Sequence, residues 1–315
     1  MSVISGTSNT FNSPNYSGEL FTADSENTPF VTMAGGLTSG GLETSNKEFS
    51  TSSLYDYPAP SQPAISEDAS TVAPTARTYT RSQEKNVTQI FQEKVSVTYR
   101  KMSNSGRLSG LNTAGQRSNT VSEKDFQIAR ALTKMARDTE WTFLNGQYNL
   151  ATTGAEVDKT RGMFPLCSQG NTIAAAGAQL NKTLIQTLLR QMATNGALFS
   201  NMVLFTNAFN KQVISEIYGY APQDRNVGGV NINQIETDFG KIGIVWDRFV
   251  DPDKILFADM EYVAPVFQPV PDKGVLFYEE LAKTGAAEEG QIYGEIGLDH
   301  GPAFLHGSIT GLATN

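Results

Sequence analysis

SEKDFQIARALTKMARDTEWTFLNG, residues 122–146, is the longest stretch of the chain that keeps one clear period. Phe126, Ala129, Leu132, Ala136, Thr139 and Phe143 recur at steps of three and four, which predicts one face of a helix of about six turns. Ser122 stands at the N-cap position with Asp125 three residues on, an arrangement like a capping box, although Glu or Gln is the usual partner. Gly146 closes the helix. Lys124, Arg130, Lys134 and Arg137, mixed with acids, lie opposite the apolar face.

The surroundings of this helix are not helical. Upstream, Val95, Val97 and Tyr99 alternate with Ser96, Thr98 and Arg100, the period of a half-buried strand, and a Gly/Ser/Asn-rich loop follows over 101–120. Downstream, a second helix starts at Asn181 with Leu184, Ile185, Leu188, Leu189 and Met192 on its buried side. MVLFTNAFNKQVISEIYGY (202–220) reads as a short buried strand and then a helix, with Phe209, Val213 and Ile217 four residues apart. Short strands end the chain: KIGIVW (241–246), KILFAD (254–259), VLFYEE (275–280), QIYGEIGL (291–298) and AFLHGSIT (303–310). This order predicts an α+β fold and not a regular βαβ alternation.

Composition divides the chain differently. Residues 1–76 hold 24 Ser or Thr and no sustained period, a composition usually found in disordered segments. Fixing such an arm costs on the order of 100 kcal/mol of conformational entropy. Its anchors Phe11, Phe21, Phe30, Val31, Phe49, Leu54 and Tyr55 therefore need burial against something large, and neighbouring subunits are the expected supply. Net charge runs −7 over 1–76, +6 over 77–141 and −7 over 142–315. A basic block between acidic ones suggests complementary surfaces between copies of one chain, against the plainer reading of charge scatter on solvated faces. The total of −8 argues against a nucleic-acid binder by charge. MSVISGTSNT has neither the basic nor the apolar segment of a secretory signal, so a soluble, cytoplasmically made protein is expected, with no membrane partner.

Reactive chemistry is hard to find. Four glycines crowd into GGLTSGG (35–41), but no GK[ST] follows and no strand signal precedes, so the segment reads as a joint and not a phosphate loop. The lone Cys167 sits in GMFPLC among apolar neighbours, as a small buried side chain would. His300 and His306 have only Asp299 nearby as a further ligand, too few for a metal site, and are expected to be structural. Glu279-Glu280 and Glu288-Glu289 are sequence neighbours that point to opposite faces of a strand, so neither pair makes an acid/base dyad. No catalytic, cofactor-binding or metal residue is nominated, and no enzyme activity or cofactor is expected.

The order of elements is familiar. TPFVTMAGGLTSGG (28–41), NVTQIFQEKVSVTYR (86–100), the helix 122–145, MVLFTNAFNKQVISEIYG (202–219) and above all DKILFADMEYVAPVFQP (253–269) with LFYEELAKTGAAEEGQIYGEIGLDHGPAFLHGSITGL (276–312) carry the likeness. In them the chain resembles the major capsid proteins of tailed bacteriophages, with the Hong Kong 97-like fold. The resemblance implies an N-terminal arm (1–47), an extended β-loop reaching over a neighbour (48–100) and a peripheral domain (101–180) with the long spine helix. It further implies an axial domain (181–253) with a mobile loop at APQDRNVGG (221–229), and closing strands (254–315) shared by both domains. The implied function is self-assembly into pentamers and hexamers of an icosahedral head enclosing double-stranded DNA, as a virion component assembled in the host cytoplasm. Implied partners are further copies of the chain, a separate scaffolding protein (no heptads precede residue 120), a portal protein, packaged DNA held non-specifically and, in some relatives, decoration proteins. Candidate inter-subunit contacts are Arg77, Arg81, Lys101, Arg130, Lys134 and Arg137, and Gly35, Gly36, Gly40 and Gly41 are candidate hinges of the arm. A nanocompartment shell of the same fold and a β-rich phage tail protein are the alternatives.

Overall fold

The computed structural model describes residues 26–37, 41–103, 123–219, 233–283 and 285–314. The arm contributes helix α1 (Pro29–Ala34) and strand β1 (Leu42–Glu43). A hairpin of β2 (Glu48–Tyr55) and β3 (Arg81–Val87) follows, then β4 (Gln89–Thr98), a short α2 (Tyr99–Ser103) and the long helix α3 (Glu123–Asn145). Next come α4 (Met163–Cys167), β5 (Asn171–Ala174), α5 (Lys182–Thr194), β6 (Met202–Thr206), α6 (Ala208–Tyr218), β7 (Gln234–Thr237) and β8 (Gly240–Trp246). The chain closes with β9 (Ile255–Asp259), β10 (Ala264–Phe267), β11 (Leu276–Glu280), β12 (Ala287–Asp299) and β13 (Gly307–Thr310).

Two sheets organise these elements. The first is built around β12, the longest strand. One edge of β12 pairs antiparallel with β4 from Ala287 to Ile296; the other pairs with β11 and then β10, and β1 of the arm adds to β10 in parallel. Alternation sets its inner face: Phe91, Val95 and Val97 of β4 and Ile292, Ile296 and Leu298 of β12 are buried. The second sheet has the order β5-β13-β9-β6-β8-β7. Its central strands MVLFT and ILFAD are buried along their whole length, because both faces are covered. One face packs Leu204, Ile255, Phe257 and Ile309 against Ile185, Leu188 and Met192 of α5 and Val213 and Ile214 of α6. Asn181 and Asn207 start these helices, each side-chain oxygen accepting a backbone N–H three residues on, from Leu184 (2.9 Å) and Asn210 (2.8 Å).

The opposite face carries Val203, Phe205, Leu256 and Ala258 into a core shared with α3, α1 and the first sheet. Phe30 of the arm is fully buried there, edge-on to Phe205 (5.2 Å between centroids) and to Phe143 of α3 (6.5 Å). This corrects the expectation that neighbours must supply the arm's anchorage: Phe30 and Val31 are buried in the chain's own core. Leu54 is half-buried and Tyr55 exposed, while Phe11 and Phe21 lie outside the described residues.

The face of α3 is also corrected. Leu132 is 40% exposed and Ala129 is exposed, whereas Ile128, Ala131, Met135, Thr139, Thr142 and Phe143 turn inward. Two overlapping three–four series run through this helix, and the tertiary core selects the one containing Met135. Ser122 lies outside the described residues. Strand β4 belongs to the first sheet and not to the projecting hairpin, so the extended segment spans the stretch from Glu48 to Val87. Strand β10 is among the elements that sequence reading left out, with α1, β1, α4, β5 and β7; its Pro265 masks it.

The two histidines lie where β9 meets β13. Asp259 N–H donates to His306 Nδ1 (3.1 Å), so His306 Nε2 carries the proton and donates to the His300 carbonyl (2.7 Å). His300 Nδ1 sits 2.7 Å from the Gly301 carbonyl. Both rings are fully buried, and burial holds each at about 4. A depressed histidine stabilises the fold above its unfolded value near 6.5, and that contribution is lost as pH falls towards 4. Unfolding near pH 5 should therefore take up about two protons from this pair, with a loss approaching about 3 kcal/mol for each ring by pH 4. Chemical denaturation of the unassembled chain at stepped pH checks this. A proton uptake near pH 5 no larger than the carboxylates supply would contradict it.

Candidate assembly surfaces

The longest uninterrupted exposed stretch of the described chain lies in the hairpin. Strands β2 and β3 pair antiparallel, with a bulge between Ser50 and Ser52, and the connection 56–80 is exposed throughout. Tyr55, Tyr57 and Tyr79 stack edge-on in series, 5.4 and 5.5 Å apart, yet are 66%, 68% and 54% exposed. Ile65 and Val72 add apolar surface to the connection. Three aromatic rings exposed together on a projecting ribbon make it a candidate contact surface. Arg77 and Arg81 lie on the same ribbon, exposed and without a carboxylate in ion-pair range among the described residues.

The root of the ribbon is rigid. Asn86 is fully buried; its Nδ2 donates to the carbonyls of Leu298 (2.8 Å) and Arg161 (3.2 Å), and its Oδ1 accepts from Arg161 N–H (2.8 Å). Lys47 Nζ donates to the Ala151 carbonyl (2.8 Å) and pairs with Asp158. The Phe49 ring lies directly over Gly297 of β12, where a Cβ would come within 2.8 Å of it. No signal in the sequence marks Asn86 or Gly297 beyond their residue types, since both gain meaning only from partners distant in the chain.

The remaining candidate contacts are engaged within the chain. Lys101 pairs with Glu123 (2.7 Å) and both side chains are nearly buried. Arg130 pairs with Glu26, and Lys134 with Glu93 of β4 and with Asp138 (2.8 Å). Arg137 lies over the Phe249 ring at 6.0 Å. The basic block thus serves to hold α3 to the arm, β4 and α2. Sequence alone does not show which acids fold over it.

Of the candidate hinges, Gly35 (φ 127°) and Gly36 (φ 79°) hold positive φ at the end of α1, where other residues are strained. Gly41 differs: a Cβ there would lie 2.3 Å from the Phe267 ring, so its glycine serves close packing. Gly40 and the loop 221–229 lie outside the described residues.

Cys167 is buried. Among the described residues no three His, Cys, Asp or Glu side chains come together, and no helix is long and apolar enough to cross a membrane.

Comparison with known proteins places this architecture. The structure is similar to the capsid of a native GTA particle (TM-score 0.62, 11% identity, 95% of each chain). It is equally similar to the capsid of cyanophage A-1(L) (TM-score 0.62, 13% identity, 93% of this chain and 95% of that one). The SrpI encapsulin of Synechococcus elongatus matches at TM-score 0.53 and 10% identity, covering 87% of this chain and 86% of that one. No curated protein matches by sequence. Two sheets, a long helix across them and a projecting hairpin define a capsid shell subunit with the Hong Kong 97-like fold. More narrowly, the chain belongs to the SU10 major capsid protein family, whose model matches residues 3–313.

The packing at the ribbon's root gives a test. Gly297→Ala should destabilise the chain by about 1–3 kcal/mol through overpacking against Phe49. Phe49→Ala in the same chain should recover part of that loss, the Val87 carbonyl 3.0 Å from the added Cβ keeping the rest, read as coupling in a double-mutant cycle of thermal unfolding. Strictly additive costs would contradict the contact.

Proposed function

We propose that the chain builds the pentamers and hexamers of an icosahedral head around double-stranded DNA, and that its hairpin is the main device by which one subunit grips the next. The exposed ribbon of Tyr55, Tyr57, Tyr79, Arg77 and Arg81 carries this reading. Holding the 25 residues between the hairpin strands in place without cover is unfavourable on entropic grounds, and a neighbour's surface offsets that cost on assembly. The acidic remainder of the chain, with segments of −7 on either side of the basic block, supplies a complementary surface for two unpaired arginines.

In this reading the arm, the ribbon, a peripheral region centred on the first sheet and α3, and an axial region centred on the second sheet are the working parts of the subunit. Strands β9 and β13 lie in the second sheet and β10, β11 and β12 in the first, so the closing segment ties the two regions together. Positive-φ glycines at 35 and 36 turn the chain between α1 and β1, both of which are held to the subunit body. A separate scaffolding protein sets curvature, a portal protein occupies one vertex, assembly takes place in the host cytoplasm, and decoration proteins are an optional addition. DNA is confined and not read, in keeping with net charge −8.

The likeness to an encapsulin supports a second reading, a nanocompartment shell. The contents of purified particles separate the two: nucleic acid supports a head, and a defined protein cargo supports a compartment.

Charge reversal at both arginines, Arg77→Glu with Arg81→Glu, should leave the melting temperature of the unassembled chain within a few degrees of wild type and abolish closed particles by electron microscopy. Normal particles from the double variant would overturn the role given to the ribbon's charge.

A further inference from the structure

Two buried carboxyl groups meet at the centre of the molecule, and the capsid function leaves them unexplained. Glu140 of α3 is fully buried and Asp247, just after β8, is 1% exposed. Glu140 Oε1 accepts the N–H of Phe30 and Oε2 accepts the N–H of Val31, each at 2.7 Å. These are donors in the first turn of α1, which has no intrahelical partners for them, so one side chain caps the arm's helix with both oxygens. Asp247 Oδ1 accepts the Phe249 N–H (2.8 Å), while its Oδ2 is buried without an N–H or O–H donor. The two buried carboxyl groups adjoin each other, and two adjoining carboxyl groups can bond only when a proton lies between them.

We propose that Glu140 and Asp247 share one proton at neutral pH, and that this proton is what keeps the arm docked. With it, Glu140 presents two acceptor oxygens to α1 while Asp247 Oδ2 has its partner. Without it, two adjacent carboxylates face each other out of contact with water, an arrangement that buried acid pairs avoid. The clasp joins three parts of the subunit: the arm, the spine helix α3 and the end of β8 in the second sheet. Burial first, and the neighbouring Asp247 second, push Glu140 up to about 9; burial also raises Asp247. No ion pair between a cation and either carboxyl group is present among the described residues; the cation on the adjoining turn is Arg137, whose Nε is buried without a hydrogen-bond partner. Helix α1, β6 and β10 carry no ionisable side chain. On α3, Arg137 stacks on Phe249 and Lys134 pairs outward with Glu93 and Asp138. Beyond β8, Arg248 lies over Trp246, and Asp251 pairs with Lys254.

The sign follows from linkage. The docked state keeps a proton that an undocked, hydrated pair releases near ordinary carboxylate values, so docking weakens as pH rises and the dependence levels off above about 9.

Hydrogen exchange at the Phe30 and Val31 amides, corrected for the intrinsic pH dependence, reads this directly on the full chain. The opening constant should rise by up to about tenfold per pH unit from pH 6 to 9 and then flatten. Asp247→Asn places a permanent N–H donor beside Glu140 and removes the neighbouring charge, so the pH dependence should weaken and level off at a lower pH than in wild type, with α1 better protected at pH 8–9. Glu140→Gln sets a donor against the arm's N–H groups and should raise exchange at every pH. A flat wild-type profile, or an Asp247→Asn profile that follows wild type, would overturn the proposal. Should Asp247→Asn fail to fold, infrared spectroscopy of the wild-type chain decides: a protonated-carboxyl band at pH 7.5 that disappears on titration through about pH 9 supports the shared proton, and its absence overturns it.

Discussion

A fully buried glutamate on the spine helix is the constraint from which the rest of the structure can be read. Glu140 holds the N-terminal turn of the arm's helix by two hydrogen bonds of 2.7 Å, and that fixes Phe30 between Phe143 and Phe205. Phe143 belongs to the spine helix and Phe205 to the second sheet, and the same core contains Ile292, Ile296 and Leu298 of the first sheet. One polar side chain therefore sets the position at which arm, helix and both sheets meet. Burial of a carboxyl group is costly unless its oxygens are satisfied, so the arm cannot leave without a penalty on Glu140 as well as on Phe30.

This arrangement separates two tasks that the sequence presents as one polar, Ser/Thr-rich region. Phe30, Val31 and Ala34 are part of the subunit's own core, whereas residues 56–80 are exposed throughout. The basic block between the acidic segments is divided as well. Lys101, Arg130 and Lys134 are paired within the chain, and Arg77 and Arg81 are left on the ribbon. Internal pairing of the first group holds the spine helix in place, which gives the projecting group a rigid base.

The elements most legible in the sequence were those whose signals are local. The helix from Asn181 shows in its apolar spacing, and MVLFT and KILFAD show as strands in their apolar runs. The spine helix was legible as a helix but not in its orientation, because the series through Leu132 and the series through Met135 are equally periodic and only the distant core separates them. Glu140 could have been noticed as a charge on the same face as Thr139 and Phe143, yet its partners Phe30, Val31 and Asp247 lie more than 100 residues away in sequence. Gly297 and Asn86 were illegible for the same reason. The ribbon's significance was clear only once its aromatic residues were seen to have no cover.

The central claim is that this chain is the closing unit of a shell, held by its ribbon to its neighbours. Cryo-electron microscopy of particles formed by the purified chain, alone and with a scaffolding partner, tests it most directly. The account predicts closed or partner-closed icosahedral shells in which the residues around Tyr55, Tyr57 and Tyr79 are buried on an adjacent subunit. A stable monomer or small oligomer under both conditions, or closed shells in which the ribbon remains exposed to solvent, would contradict it.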